Sequence, residues 1–198
     1  MVYIAFMRSD EELMLAAAQG DLDAFEQIVL RHQQTAWAVA NRFLNDPAEA
    51  EDVAQDAFLK ILAAAPRYRP FAAFRTFLIR VVSRLCMDRA RKMRPVYTDA
   101  PPELPAPDPS APQTVIRTER DIAIRRALDT LPPAQRMAAV LRYYEDLDYR
   151  AIADAMDITE KAVERLLARA RTALKGPLGQ FRADQAASSG GFGPLARL

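Results

Sequence analysis

The side chains in this chain that are best equipped for chemistry are carboxylates and arginines, and they fall in separate blocks. Asp52, Gln55 and Asp56 sit in an acidic segment that also carries Glu49 and Glu51. Arg67, Tyr68, Arg69 and Phe71 follow, cations alternating with rings among prolines. Beyond them Arg80, Arg84 and Arg91 recur at steps of four and seven. A last cationic set, Lys161, Arg165 and Arg169, lies near the end, just after Thr159. Guanidinium and ammonium groups hold phosphate and can read guanine edges. Rings beside arginines suit an opened strand, because bases stack on the rings while cations follow the backbone.

The charge pattern sharpens this reading. Overall the chain has a net charge of only +1, yet the first 66 residues hold eleven acids against four cations. From Arg67 to Arg94 there are nine cations, and Asp88 is the only acid. A basic block beside an acidic one implies two partners, one of them polyanionic.

Catalysis finds little support. His32 is the only histidine and Cys86 the only cysteine, so neither a triad nor a zinc site can be assembled from them, and no glycine-rich phosphate loop occurs. Cys86, between Leu85 and Met87, reads as a small packing residue. Neither cofactor nor metal is expected. Acids crowded into the first half of the helix that carries them also satisfy its dipole, which accounts for part of that cluster without any partner.

These residues must be positioned by helices. Glycine is scarce, at 6 in 198 residues, while alanine, leucine, arginine and glutamate abound, a balance that favours helix over sheet. Asp46-Pro47 is a helix-start signal, and Val53, Ala54, Ala57, Phe58, Ile61 and Leu62 form an apolar stripe behind it. A long helix is expected from about Ala73 to Lys92, with Phe74, Phe77, Leu78, Val81 and Leu85 inward and Arg80, Arg84 and Arg91 outward. Tyr68 and Phe71, in the loop before it, are the rings placed for nucleotide contact, although either can instead lid the core.

The stretch Pro95–Gln113 holds seven prolines, so neither helix nor central strand persists there. It reads as a semi-extended linker reaching roughly 60 Å at about 3.1 Å per residue. One turn of DNA is roughly 34 Å. The fold class is therefore all-α, with a domain over 1–94, the linker over 95–113, a second domain over 114–175 and a flexible tail over 176–198. Within the second domain, Asp148 and Thr159 are placed to cap two short helices whose inner faces carry Ile152 and Ala155, and Val163, Leu166, Leu167 and Ala170. That is helix-turn-helix spacing, and it turns Lys161, Arg165 and Arg169 outward for a major groove. The same pattern also fits a solvated helix in a small bundle.

A lone cysteine fits a reducing interior, the apolar start MVYIAFM is too short for a secretion signal, and no apolar run spans a bilayer. A cytoplasmic chain without membrane insertion, monomeric when free of partners, is expected.

Taken together, AEAEDVAQDAFLKIL, FRTFLIRVVSRLCMDRARK and LPPAQRMAAVLRYYEDLDYRAIADAMDITEKAVERLLARAR resemble regions 2.2, 2.3–2.4 and 4 of the extracytoplasmic-function sigma factors of bacterial RNA polymerase. The resemblance implies promoter-specific initiation. Asp52, Gln55 and Asp56 would bind core polymerase. Arg67, Tyr68, Arg69, Phe71, Arg80, Arg84 and Arg91 would hold the −10 element, and Thr159, Lys161, Arg165 and Arg169 the −35 element. It further implies control by an anti-sigma factor. Four positions depart: Phe77 replaces a common tryptophan, Asp157 a turn glycine, and Glu164 and Leu166 stand where many relatives carry lysine and arginine. Aspartate tolerates the left-handed conformation such a turn needs.

Three rival functions are weighed against this one. A sigma-like decoy that sequesters an anti-sigma factor would be expected to lose the cations of its DNA face, whereas Arg80, Arg84 and Arg91 remain. A helix-turn-helix repressor leaves the acidic and basic helices of the first domain without a role. An enzyme acting on nucleic acid would need carboxylates or a metal set on a cleft wall, and ranks last.

Overall fold

The computed structural model describes residues 8–70, 72–92 and 119–183. The proline-rich stretch 95–113 and the last residues of the expected tail lie outside them. Eight α-helices and one 3-10 turn make up the secondary structure of the described residues.

Local chemistry explains where the first helices begin and end. Ser9 and Glu12 form a reciprocal capping box at the start of α1 (Asp10–Ala17), with the Glu12 amide 3.2 Å from Ser9 Oγ and the Ser9 amide 2.7 Å from Glu12 Oε2. Gly20, at φ 96°, makes the turn into α2 (Leu22–Leu44), whose start Asp21 caps by accepting from the Ala24 amide. Asn45 ends α2 in the left-handed region at φ 57°. Asp46 at once accepts from the Ala48 and Glu49 amides to open α3 (Pro47–Ala64), with proline in its first turn. Two residues thus reverse the chain, and α3 packs back along α2. A 3-10 turn, Ala65–Arg67, leads toward α4 (Phe74–Lys92). The Phe74 amide donates to Glu11 of α1 at 3.1 Å, so a carboxylate 63 residues earlier satisfies a free N–H in the first turn of α4.

The core of this first unit is formed by Ile28, Val39, Phe43, Val53, Ala57, Ile61, Phe74, Leu78, Ile79, Val82 and Cys86, all buried. Each large apolar side chain so removed from water contributes about 1.5–3 kcal/mol. Of the inward stripe expected on α4, Phe74 and Leu78 are buried as expected, and the rest is shifted. Phe77, Val81 and Leu85 are only partly buried, while Ile79, Val82 and Cys86 are fully so. The helix is flanked on two sides, by α2 and α3 and by a helix of the second unit, and so buries a wider arc than one stripe.

The second unit comprises α5 (Glu119–Asp129), α6 (Pro133–Tyr143), α7 (Tyr149–Met156) and α8 (Glu160–Ala183). Pro133 falls in the first turn of α6, where a missing N–H costs nothing. Asp148 caps α7 through the Ala151 amide at 2.7 Å, and Thr159 caps α8 through the Ala162 amide at 3.2 Å. Asp157 sits between them at φ 58°. Ile152 and Ala155 meet Val163, Leu167, Ala170 and Leu174 in a core closed by Leu128, Leu131, Met137 and Leu141.

The second unit departs from expectation at its end. α8 runs on to Ala183, past the expected stop at Lys175, so the segment from 176 begins as helix and not as tail. Gly176 and Pro177 weaken a helix, but elongating an existing one needs no new nucleus.

Candidate nucleic-acid interface

α4 carries the cations that the sequence places toward nucleic acid, and the fold treats them unequally. Arg80 is exposed and lines a cleft against Asp154, Asp157 and Thr159 of the second unit. Arg84 donates to Asp157 at 3.0 Å, and both side chains remain more than half exposed. Arg91 pairs with Asp88 one helical turn back at 3.1 Å and projects into solvent. Arg80 and Arg84 are therefore brought together and face α7, while Arg91 stands apart.

In the loop before α4 the expectation divides. Arg67 and Arg69 are exposed, and Arg69 Nη1 donates to the Tyr68 carbonyl. Tyr68 corrects the reading that offered it as a surface ring. It is 7% exposed, with its ring centroid 5.6 Å from that of Phe77. Its hydroxyl is buried without a hydrogen-bond partner. Burial, with the nearby carboxylates of Glu11 and Asp10, holds its pKa above the ordinary tyrosine value. The ring lids the core, the alternative that its proline-flanked position left open. Phe71 lies outside the described residues.

α8 presents Lys161, Arg165 and Arg169 to solvent, on the side away from Val163, Leu167 and Ala170. Thr159 commits its hydroxyl oxygen to the cap and also borders the Arg80 cleft. Its role in this fold is the start of the helix.

The acidic face of α3 is present as expected. Asp52 and Gln55 are exposed and Asp56 is half-buried. The residue that sequence reasoning passed over is Arg89. It reaches from α4 to Glu49, lies 3.4 Å from Asp56 and approaches Asp52 at 3.9 Å. Hydrogen bonding to Glu49 outweighs the opposing burial and raises its pKa above the ordinary arginine value. Three acids spaced three and four apart on one helix are the only signal that sequence offered for it.

Two further residues were missed. Glu145, in the α6–α7 connection, is buried and accepts from Arg42 at 3.0 Å and Arg75 at 2.6 Å, both in the first unit. His32 has an acid partner after all, with Nε2 at 2.7 Å from Asp10 Oδ2. His32 also packs against Phe74, with ring centroids 5.0 Å apart, which makes it a structural bridge between α1, α2 and α4. Among the described residues no cluster of histidine, cysteine or acids is arranged to hold a metal, and no helix is long and apolar enough to cross a membrane.

Helical units, one with a helix-turn-helix and both with cationic helix faces, define a DNA-binding transcription factor. The comparisons with known proteins narrow the class. Residues 28–95 match the family model Sigma-70 region 2, and residues 121–174 match Sigma-70, region 4. The chain is 34% identical over 174 residues to the ECF RNA polymerase sigma factor SigM of Mycobacterium tuberculosis, covering 87% of this chain and 86% of the relative. It is 31% identical over 176 residues to the RNA polymerase sigma-H factor of Pseudomonas aeruginosa, covering 83% and 91%. Among solved structures, CnrH in complex with the cytosolic domain of CnrY aligns with a TM-score of 0.65 at 25% identity, over 87% of this chain and 99% of that one. The sigma factor RpoE of Bartonella quintana, in complex with the anti-sigma factor NepR, shares the fold with a TM-score of 0.59 at 21% identity, over 78% and 96%.

The chain belongs to the extracytoplasmic-function sigma factors of bacterial RNA polymerase. Members of this family are transcription factors that bind core polymerase and direct it to promoters.

Proposed function

We propose that this sigma factor divides its work among three helix faces. Exposed Asp52 and half-buried Asp56, with exposed Gln55, dock on core polymerase, where an acidic face also repels DNA from the protein partner's site. Arg80, Arg84 and Arg91 of α4, with Arg67 and Arg69 before it, hold the opened strand at the −10 element. Lys161, Arg165 and Arg169 of α8 hold the upstream duplex at the −35 element. The observation that carries this reading is the pairing of an acidic α3 with a basic α4, followed by a capped helix-turn-helix whose second helix keeps its cations in solvent. The protein works in the cytoplasm, where core polymerase and promoters are found. An anti-sigma factor regulates it, a reading supported by the RpoE relative solved with NepR.

The test is run-off transcription with purified core polymerase on a genomic fragment library, with and without the chain. Chain-dependent starts at defined sites are expected, and their absence would refute the reading. A variant combining Asp52→Ala and Asp56→Ala should lose most of that output, whereas unchanged output would remove the docking site from α3. In Arg165→Ala with Arg169→Ala, the salt dependence of binding to a duplex carrying the −35 element should flatten by about 0.9 for each phosphate the variant no longer neutralises.

A further inference from the structure

The two most exposed large apolar side chains among the described residues both belong to α2: Leu22 is 65% and Leu30 62% exposed. Each begins a column. Val29 lies seven residues after Leu22 and Trp37 seven after Leu30, and a step of seven returns to within about 20° of the same side of a helix. Val29 and Trp37 are partly buried. The opposite side of α2, with Phe25, Ile28, Ala36 and Val39, is committed to the core. The two columns form an apolar stripe about 22 Å long, at about 1.5 Å per residue.

A second apolar feature ends beside this stripe. Residues 1–7, MVYIAFM, carry no charged side chain and lie outside the described residues. Arg8, which follows them, is held against α2 at two points. Its carbonyl accepts from Arg31 at 2.9 Å, and its guanidinium lies 3.5 Å from Asp21. Asp21 and Arg31 bracket both exposed leucines in sequence. Seven extended residues reach about 23 Å, so a segment that starts from Arg8 has either column within range.

The tether decides which occupant fits. Held at one end, the segment meets the stripe at an effective concentration of order millimolar, far above that of a second copy in dilute solution. The stripe is also too small for a pair of copies. Two leucines and two partly buried neighbours fall well short of the roughly 800 Å² per partner that a stable dimer needs. Leaving both apolar surfaces in water forgoes the gain from burying one against the other.

We propose that residues 1–7 fold back as a strap along α2, packing on Leu22, Val29, Leu30 and Trp37 with Arg8 as the anchor. The strap shields this face of α2 from foreign apolar surfaces. It stands independently of the roles assigned to α3 and α4.

Trp37 is the only tryptophan of the chain, which makes it a reporter already in place. The experiment uses the full chain with Ala5→Cys carrying a nitroxide, which quenches indole emission only at close range. Cys86 is buried in the core and does not take the label. The nitroxide is expected to lower Trp37 emission by more than about half relative to the same sample after its chemical reduction, as a segment docked most of the time requires. Leu22→Gln with Leu30→Gln, at positions that the core does not use, should restore the emission. Leu22→Met with Leu30→Met keeps an apolar surface and should leave the quenching in place.

Equal emission with the nitroxide intact and reduced would overturn the strap, as would quenching that survives the double glutamine variant. Quenching that grows with protein concentration would give the stripe to a second copy and overturn it too. If the glutamine variant does not fold, removal of residues 1–7 from an otherwise unchanged chain decides. A red shift of Trp37 emission then supports the strap, and unchanged emission refutes it.

Discussion

Arg89 of α4 donates to Asp56 of α3 across 3.4 Å, joining the basic helix to the acidic one between residues 33 apart in sequence. The same guanidinium holds Glu49 and approaches Asp52, so one cation partly neutralises the face assigned to polymerase. Its side chain is 27% exposed, which places the interaction between a screened surface pair and a buried one. Arg89→Met should therefore lower stability by about 1–2 kcal/mol in urea denaturation. Arg89→Lys should recover less than half of that loss, because a single ammonium cannot spread donors over several carboxylates. Equal stability of the wild type and Arg89→Met would show that the cluster is held by helix packing alone.

Asp157 bears the turn of the helix-turn-helix at φ 58°. A residue with a Cβ and no local hydrogen-bonding group is strained by about 1–2 kcal/mol in that conformation, and glycine is not. Asp157→Ala should be destabilised by about that amount and Asp157→Gly by distinctly less, although both lose the Arg84 pair. Thermal melting of the two variants side by side checks this. If alanine and glycine melt together, the conformation is not what constrains the position.

What could be read from the sequence was mostly local. The caps at Asp46, Asp148 and Thr159 and the left-handed Asp157 involve residues at most a few positions apart, and all four take the expected roles. The exposed cations proposed to face DNA were also visible, since charge and helical period suffice to put them outside. What escaped depends on long-range pairing. Glu145 lies 103 residues from Arg42, His32 lies 22 from Asp10, and Glu11 caps a helix 63 residues away. Nothing in local spacing announces such partners. Tyr68 shows the same limit from the other side, because prolines around it suggest an exposed loop while Phe77, in the first turn of the next helix, draws the ring inward.

Asp10 makes the first unit sensitive to acid. Burial works to raise its pKa, but hydrogen bonds from Arg31 at 2.8 Å and His32 at 2.7 Å outweigh burial and hold it below the ordinary aspartate value. A carboxyl with a depressed pKa in the folded state adds stability that is fully present above the unfolded value. That stability is lost as pH falls through the folded value. Asp10→Asn should therefore cost about 1 kcal/mol at neutral pH. The gap to the wild type should shrink as pH drops below about 3.9. A gap independent of pH across this range would mean that the interaction contributes shape and not charge.

Cys86 offers a probe of the first unit's cohesion. It is fully buried on α4, and burial pushes its thiol pKa up to about 12 against a smaller opposing effect of Arg89. At pH 8 only about one molecule in ten thousand would carry the reactive thiolate, and even that one is shielded from reagent. Labelling by a thiol-reactive dye should thus be limited by opening of the α2–α3–α4 core and should accelerate with urea in step with unfolding. A cysteine introduced at exposed Asp23 should react at once under the same conditions. Were Cys86 in the native chain to label as fast as that control, α4 would have to leave the core far more often than a buried cluster shared with Phe43 of α2 and Val53 of α3 allows.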